Sequence, residues 1–185
     1  MPFTNSIYDN LGPAHILIFG ASFGSQLYQS FISGPISYST LPRQQFSHLQ
    51  ARTFPIYFAL QTLSAPLLLL TLPRGAQDSL VTLCKPSENP AFNTTVFPIL
   101  VAFVTSAANM LVVGPMAGRM MEKRRKVLEE LEKGVDGGVT KELGNKKLKE
   151  LGKAFGRVHG ISTVLNLVGV VAVGVVGWEV GKRLH

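Results

Sequence analysis

Apolar residues fall into four blocks of about 20 positions each, separated by polar stretches. A helical block of that length crosses the roughly 30 Å hydrocarbon core of a bilayer, because each residue adds about 1.5 Å. The pattern therefore predicts an all-α membrane protein. It forms a single domain over residues 1–185, with four transmembrane helices at about 14–36, 54–72, 96–116 and 160–180. Residues 117–159 are predicted to form a charged helical segment outside the membrane.

Two of these blocks end in the same way. Gln29 stands five residues before Gly34, Asn109 stands five residues before Gly114, and a proline follows each glycine. The other two blocks share an arginine nine residues before an amide: Arg52 with Gln61, and Arg157 with Asn166. These repeated spacings predict that the fold consists of two duplicated helical hairpins.

The repeated amides are the candidate site. Each lies at a similar depth, about 10 Å from the end of its span nearest the charged segments. An unpaired amide facing hydrocarbon costs several kcal/mol, so the four are expected to converge inside the bundle as a polar layer. This layer either fixes the register of the helices or lines a solute-binding vestibule with Arg52 and Arg157 at its rim. The four amides are Gln29, Gln61, Asn109 and Asn166.

Glycine and proline add predictions about packing. Gly20 and Gly24 form a G-x-x-x-G step, and we expect them, like Gly169, to lie against a neighbouring helix. Proline lacks an N–H group and clashes with the preceding turn, so Pro35 is expected to end or kink the first helix. Residues 38–53 are then predicted to form a polar loop.

The charge pattern predicts the orientation. Fourteen of the 18 Lys and Arg residues lie in the two segments after the first and third spans, against four elsewhere. The positive-inside rule therefore places those segments in the cytosol and both termini in the lumen or outside the cell. The expected location is the endoplasmic reticulum, another secretory-pathway membrane or the cell surface. Topology also accounts for the net charge of +7, so no nucleic-acid partner is expected.

Residues suited to catalysis or metal binding do not form a recognisable motif. There is no phosphate-binding glycine loop, zinc-binding H-E-x-x-H motif or nucleophile elbow, and no carboxylate lies deep in a span. The single cysteine, Cys84, excludes a multi-thiolate metal site. His15 is predicted a membrane's width from His48 and His159, and the methionines are interpreted as packing residues. No enzyme activity, catalytic residue, metal or cofactor is expected.

Several stretches resemble the transmembrane protein 205-like family of small four-span membrane proteins. The most specific are Ser33-Gly-Pro and Pro42-Arg-Gln-Gln-Phe, and Asn109 with Gly114 and Arg157 with Asn166 are also similar. The resemblance covers most of the chain. It implies an integral membrane protein of the secretory pathway or cell surface, and it implies no established reaction.

Two function classes follow from these patterns. The first is a non-catalytic scaffold, assembly or trafficking factor that binds a protein partner through residues 117–159 and is able to form homo-oligomers. The second is a carrier or channel for a small neutral or weakly polar solute, with the polar layer as its cytosol-facing vestibule. Both place the chain in a lipid bilayer.

Overall fold

The computed structural model describes residues 11–72, 92–132 and 138–182, and within these ranges the ordered structure is helical, with no strand. The first continuous rod contains α1 (Gly12–Leu27), a π-helical turn (Tyr28–Ser33) and α2 (Gly34–Thr40). The second is α3 (Arg43–Leu70). The third contains a π turn (Phe92–Val96), α4 (Phe97–Ala108), another π turn (Asn109–Val113) and α5 (Gly114–Glu132), and the fourth is α6 (Gly138–Lys182).

Three of the rods have helices long and apolar enough to cross a membrane: Arg43–Leu70, Thr94–Leu131 and Lys141–Lys182. The predicted all-α membrane class is therefore confirmed. The first rod is not among the three, and the polar side chains of Ser22, Gln26 and Gln29 lower its apolar character. The four-span arrangement consequently stays a prediction.

The rods pack around a shared interior. α1 packs on α3, α3 on α4, α4 on α6 and α6 on α1, so α3 and α6 occupy opposite corners. Near the end that holds Gly12, the interior is apolar: Ala65, Leu68, Leu72, Val96, Ile99 and Val176 form one buried cluster. A smaller cluster of Ala102, Ala172 and Val173 continues it along the bundle. Beyond these clusters the interior becomes polar.

The helix does not end at Pro35, because a wide π turn precedes the proline; a kink at this position stays a prediction. The Gly34 N–H donates to the carbonyl oxygen of Gln29 five residues earlier. The Gly114 N–H donates in the same way to Asn109. A π turn has room that an α turn lacks, so the chain continues as α2 and as α5 through each proline. The spacing of amide and glycine that suggested a duplication is thus the span of one π hydrogen bond.

The predicted polar loop over residues 38–53 is also replaced by helix. α2 runs to Thr40 and α3 starts at Arg43, so the chain reverses direction at only Leu41 and Pro42. Leu41 is extended (φ −95°, ψ 143°), which is the conformation favoured before a proline. The polar residues that suggested a loop lie on helix.

The prediction for Gly20 and Gly24 is wrong. Both are exposed, and a β-carbon on either would meet no neighbouring atom within 4 Å. Close packing uses α6 glycines instead: Gly177 lies against the ring of Phe19, and a β-carbon on Gly169 would lie 3.2 Å from Thr105 Oγ1. The burial of Gly169 against another helix agrees with the prediction.

The charged segment continues the third and fourth rods as a helical hairpin, which we call the α5–α6 hairpin (residues 117–132 and 138–159). Val127 and Val158 are buried, and a β-carbon on Gly144 would lie 2.6 Å from Leu131 Cδ2. Residues 133–137 of the predicted charged segment lie outside the described residues, and so does Cys84.

Candidate functional site

Gln61 joins α3 to α1 through a buried network. Its Oε1 accepts hydrogen bonds from Ser22 Oγ at 2.8 Å and from Gln26 Nε2 at 2.6 Å. Its Nε2 donates to Ser25 Oγ at 2.8 Å and to the Ser22 carbonyl oxygen at 3.3 Å. Ser22, Gln26 and Gln61 are all at most 5% exposed. All four bonding positions of this amide are therefore used between the two helices.

Asn166 connects three rods. Tyr57 donates its hydroxyl proton to Asn166 Oδ1 at 2.6 Å, across the interior between the opposite corners α3 and α6. Asn166 Nδ2 donates to Ser30 Oγ in the first π turn at 2.8 Å. The three side chains form a chain of hydrogen bonds through the middle of the bundle.

The other two predicted amides each carry a side-chain hydrogen bond to a neighbouring helix. Gln29 Nε2 donates to Gln50 Oε1 at 3.3 Å, linking the first π turn to α3. Asn109 Nδ2 donates to the Ser162 carbonyl oxygen at 3.3 Å, linking the π turn Asn109–Val113 to α6. Asn109 is 1% exposed.

The four predicted amides therefore bond to neighbouring helices, but not to one another within the described ranges. The side-chain partners that the predicted site omitted are Ser22, Ser25, Gln26, Ser30, Gln50 and Tyr57. Gln50, Tyr57 and Gln61 recur at spacings of seven and four residues, which places them on one face of α3. This spacing could have identified Gln50 and Tyr57 as neighbours of Gln61 from the sequence. The role of the four amides in binding a solute stays a prediction.

Two interior amide oxygen atoms keep unused hydrogen-bonding capacity. Gln26 Oε1 and Asn109 Oδ1 are buried and have no hydrogen-bond partner among the described atoms. A buried carbonyl oxygen is satisfied only by a donor, such as water or an N–H or O–H group of a solute. The polar interior can thus accept a hydrogen-bond donor at both places.

The described histidines, His15, His48 and His159, do not form a group of metal-binding side chains. His15 is 1% exposed, and its Nδ1 lies 2.9 Å from Thr71 Oγ1. His48 and His159 are exposed, and no group of three metal-binding side chains occurs in the described part of the chain. The predicted rim residues Arg52 and Arg157 are both exposed.

The chain is similar to known proteins over most of its length. It is 28% identical over 178 residues to Xanthocillin biosynthesis cluster protein D of Aspergillus fumigatus, covering 95% of this chain and 92% of that protein. It is 26% identical over 180 residues to Transmembrane protein 205 of Danio rerio, covering 84% of this chain and 83% of that protein. The resemblance found in the sequence is thereby confirmed. No solved structure matches.

A family model also matches residues 17–126, which include the first π turn, Gln61, and Asn109 with its π turn. This match covers more than half of the chain. The chain therefore belongs to the family described as Domain of unknown function (DUF4149).

Proposed function

We propose that this protein is a non-catalytic, four-span membrane protein that holds a partner protein on its α5–α6 hairpin. The main observation in support of this proposal is the length of the last two rods. The apolar helices Thr94–Leu131 and Lys141–Lys182 have 38 and 42 residues. They are about 57 and 63 Å long, roughly twice the thickness of the hydrocarbon core. Both therefore project well outside the membrane on the same side.

The hairpin has the properties of a binding element. Its two helices are held together by the buried Val127 and Val158, so its outer surface is available. That surface is charged and also exposes Leu128 (41%) and Leu143 (60%). These two leucines are the apolar side chains with which a partner protein would make contact on that surface.

The first rod is proposed to cross the membrane as the fourth span. Its least apolar residues, including Ser22 and Gln26, bond inward to α3, so they do not face lipid. Its outward residues Leu17, Phe31 and Ile32 are exposed and apolar. The positive-inside rule then places the hairpin in the cytosol and both termini on the other side.

Site-specific photo-crosslinking in cells tests the partner. A photoreactive residue at Leu128 or Leu143 should capture the same protein in a near-stoichiometric adduct. Val164, 62% exposed in the predicted fourth span, is the matched control and should capture lipid. Absence of a protein adduct from both hairpin positions, or an equal one from Val164, would contradict the proposal.

A glycosylation assay tests the orientation. An acceptor sequon inserted at residues 134–137 should stay unmodified in secretory-pathway membranes, because the hairpin faces the cytosol. A sequon fused through a spacer to the amino terminus should be modified. Efficient glycosylation within the hairpin would invert the topology.

A second candidate function is a carrier for a small neutral or weakly polar solute. The observation in its favour is that two buried amide oxygens, Gln26 Oε1 and Asn109 Oδ1, accept no hydrogen bond from the described atoms. Solute flux into proteoliposomes should then fall when Asn109 or Asn166 is replaced by leucine. Equal flux in wild-type and empty vesicles would exclude a carrier.

A further inference from the structure

Several exposed cations at the hairpin end of the bundle have no acidic partner in the described part of the chain. Arg43, Arg119, Lys153 and Arg157 are exposed, and none is in an ion pair within the described ranges. The cations that do form ion pairs in the described ranges are Arg125 and Lys126 in the hairpin and Lys182 at the opposite end of α6. These four free charges are referred to as the cationic collar.

Hydrogen bonds between the rods fix the level of the collar on α3 and α6. Tyr57 and Asn166 are bonded and so lie at similar depth. Arg43 is 14 residues before Tyr57, and Lys153 is 13 residues before Asn166. At about 1.5 Å per residue, both cations lie about 20 Å from that bond toward the hairpin.

The third rod reaches the same level. Asn109 bonds to the Ser162 carbonyl, which sets α5 against α6. Arg119 follows Asn109 by ten residues, and Lys153 precedes Ser162 by nine. Both distances are about 14 to 15 Å. Three rods therefore present a cation at one depth, with Arg157 about one turn closer to the middle of the bundle.

This depth corresponds to the lipid headgroups. Trp178 is 68% exposed and follows Arg157 by 21 residues, about 32 Å along α6. Tryptophan favours the membrane interface, and the hydrocarbon core is about 30 Å thick. With Trp178 at one interface, Arg157 lies at the other. Arg43, Arg119 and Lys153 then extend about 6 to 8 Å beyond it, where the phosphates are.

Acidic residues are absent from this level. Residues 11–72, 92–121 and 151–178 contain no Asp or Glu. The nearest acids, Glu122 and Glu150, lie about one turn farther out, and Glu122 is already paired with Arg125 at 2.7 Å. The collar is thus a band of net positive charge, whereas the hairpin beyond it mixes both signs.

We infer that the cationic collar binds the anionic headgroups of the membrane leaflet on the hairpin side. A single soluble anion cannot contact cations on α3 and α6 together, because these helices occupy opposite corners. A surface of separate headgroups meets each cation individually, which fits outward-facing side chains spread over three rods. The inference rests on the proposed membrane placement and is independent of a protein partner.

Spin-labelled lipids in nanodiscs holding the full-length protein test the inference. Labelled phosphatidylserine should associate with the protein surface more strongly than labelled phosphatidylcholine, by about fivefold at each collar site. The triple variant Arg43→Gln, Arg119→Gln, Lys153→Gln should lose most of this preference. Raising the salt concentration should weaken it in the wild type, because headgroup charges are screened.

A charge-matched control is available on the hairpin. Lys141, Lys146 and Lys147 are exposed and lie about 9 to 18 Å farther from the membrane than Lys153. Changing these three to glutamine should leave the preference intact. Equal loss in both triple variants would show a net-charge effect and overturn the collar, as would absence of preference in the wild type. Abolition by inorganic phosphate at constant ionic strength would identify a soluble-anion site instead.

Discussion

A β-carbon on Gly114 would lie 2.8 Å from the carbonyl oxygen of Asn109, the same atom that accepts the Gly114 N–H. That separation is shorter than any carbon–oxygen contact that side chains normally make. The π turn before Pro115 therefore closes only around a glycine. Gly34 stands in the same relationship to Gln29, at 2.9 Å.

Gly114→Ala should destabilise the protein by about 1–3 kcal/mol, because the new methyl group collides with backbone that cannot move aside easily. Gly118→Ala is the control one turn later in α5, where a β-carbon would meet nothing within 4 Å. There the higher helix propensity of alanine should leave stability unchanged or raise it by up to about 1 kcal/mol. Thermal unfolding in detergent measures both. Equal stability of the two variants would mean that the turn relaxes.

Leucine at Gly177 should also destabilise the bundle, by about 1–3 kcal/mol, since the ring of Phe19 occupies the space beside it. Leucine at Gly24 should have little effect, because that position is exposed and open. The two changes add the same side chain in place of a helical glycine, so they are matched. The reverse order of stabilities would show that Gly24, and not Gly177, faces a helix.

Tyr57→Phe and Asn166→Ala should be coupled. Within membranes a hydrogen bond between helices contributes about 0.6 kcal/mol on average and about 1.7 at most, and the 2.6 Å bond between these side chains should lie in that range. A double-mutant cycle on unfolding free energies isolates the coupling from the effect of each change. Tyr38, 65% exposed, offers the control pair with Asn166, which should show no coupling.

Glu122 is an acid of the described hairpin whose titration is altered by a neighbour. Arg125 donates hydrogen bonds to Glu122 and lowers the pKa of that carboxyl below its usual range. A lowered folded-state pKa gives stability that is present above the unfolded value and is lost as pH falls through the folded one. Arg125→Gln should therefore raise the pKa of Glu122 in an NMR titration, and hairpin unfolding should depend less on pH between these values. An unchanged Glu122 pKa would show that the ion pair is absent in solution.

Sequence patterns located the polar faces but not their partners. Periodicity placed Gln61 on the inner face of its helix, yet it carries no information on which helix that face meets. Gln61 bonds to Gln26 rather than to another repeated amide. Spacing likewise found Gly20 and Gly24, but a glycine facing lipid and one facing a helix look the same in a sequence. The sequence shows an amide residue five positions before each glycine. It does not show that the glycine N–H donates a hydrogen bond to the backbone carbonyl oxygen of that residue.

Each π turn also changes which face of the following helix points toward the interior. Successive residues of an α-helix are rotated by about 100°, so one additional residue in a turn rotates everything beyond it by about that angle. The face of α1 that bonds Gln61 consequently does not continue as the same face of α2, and the inner face of α4 is likewise offset from that of α5. A single-residue deletion in the π turn Tyr28–Ser33 or Asn109–Val113 would thus rotate the whole helical surface beyond it by about 100°, so that a different set of side chains would face the neighbouring rods.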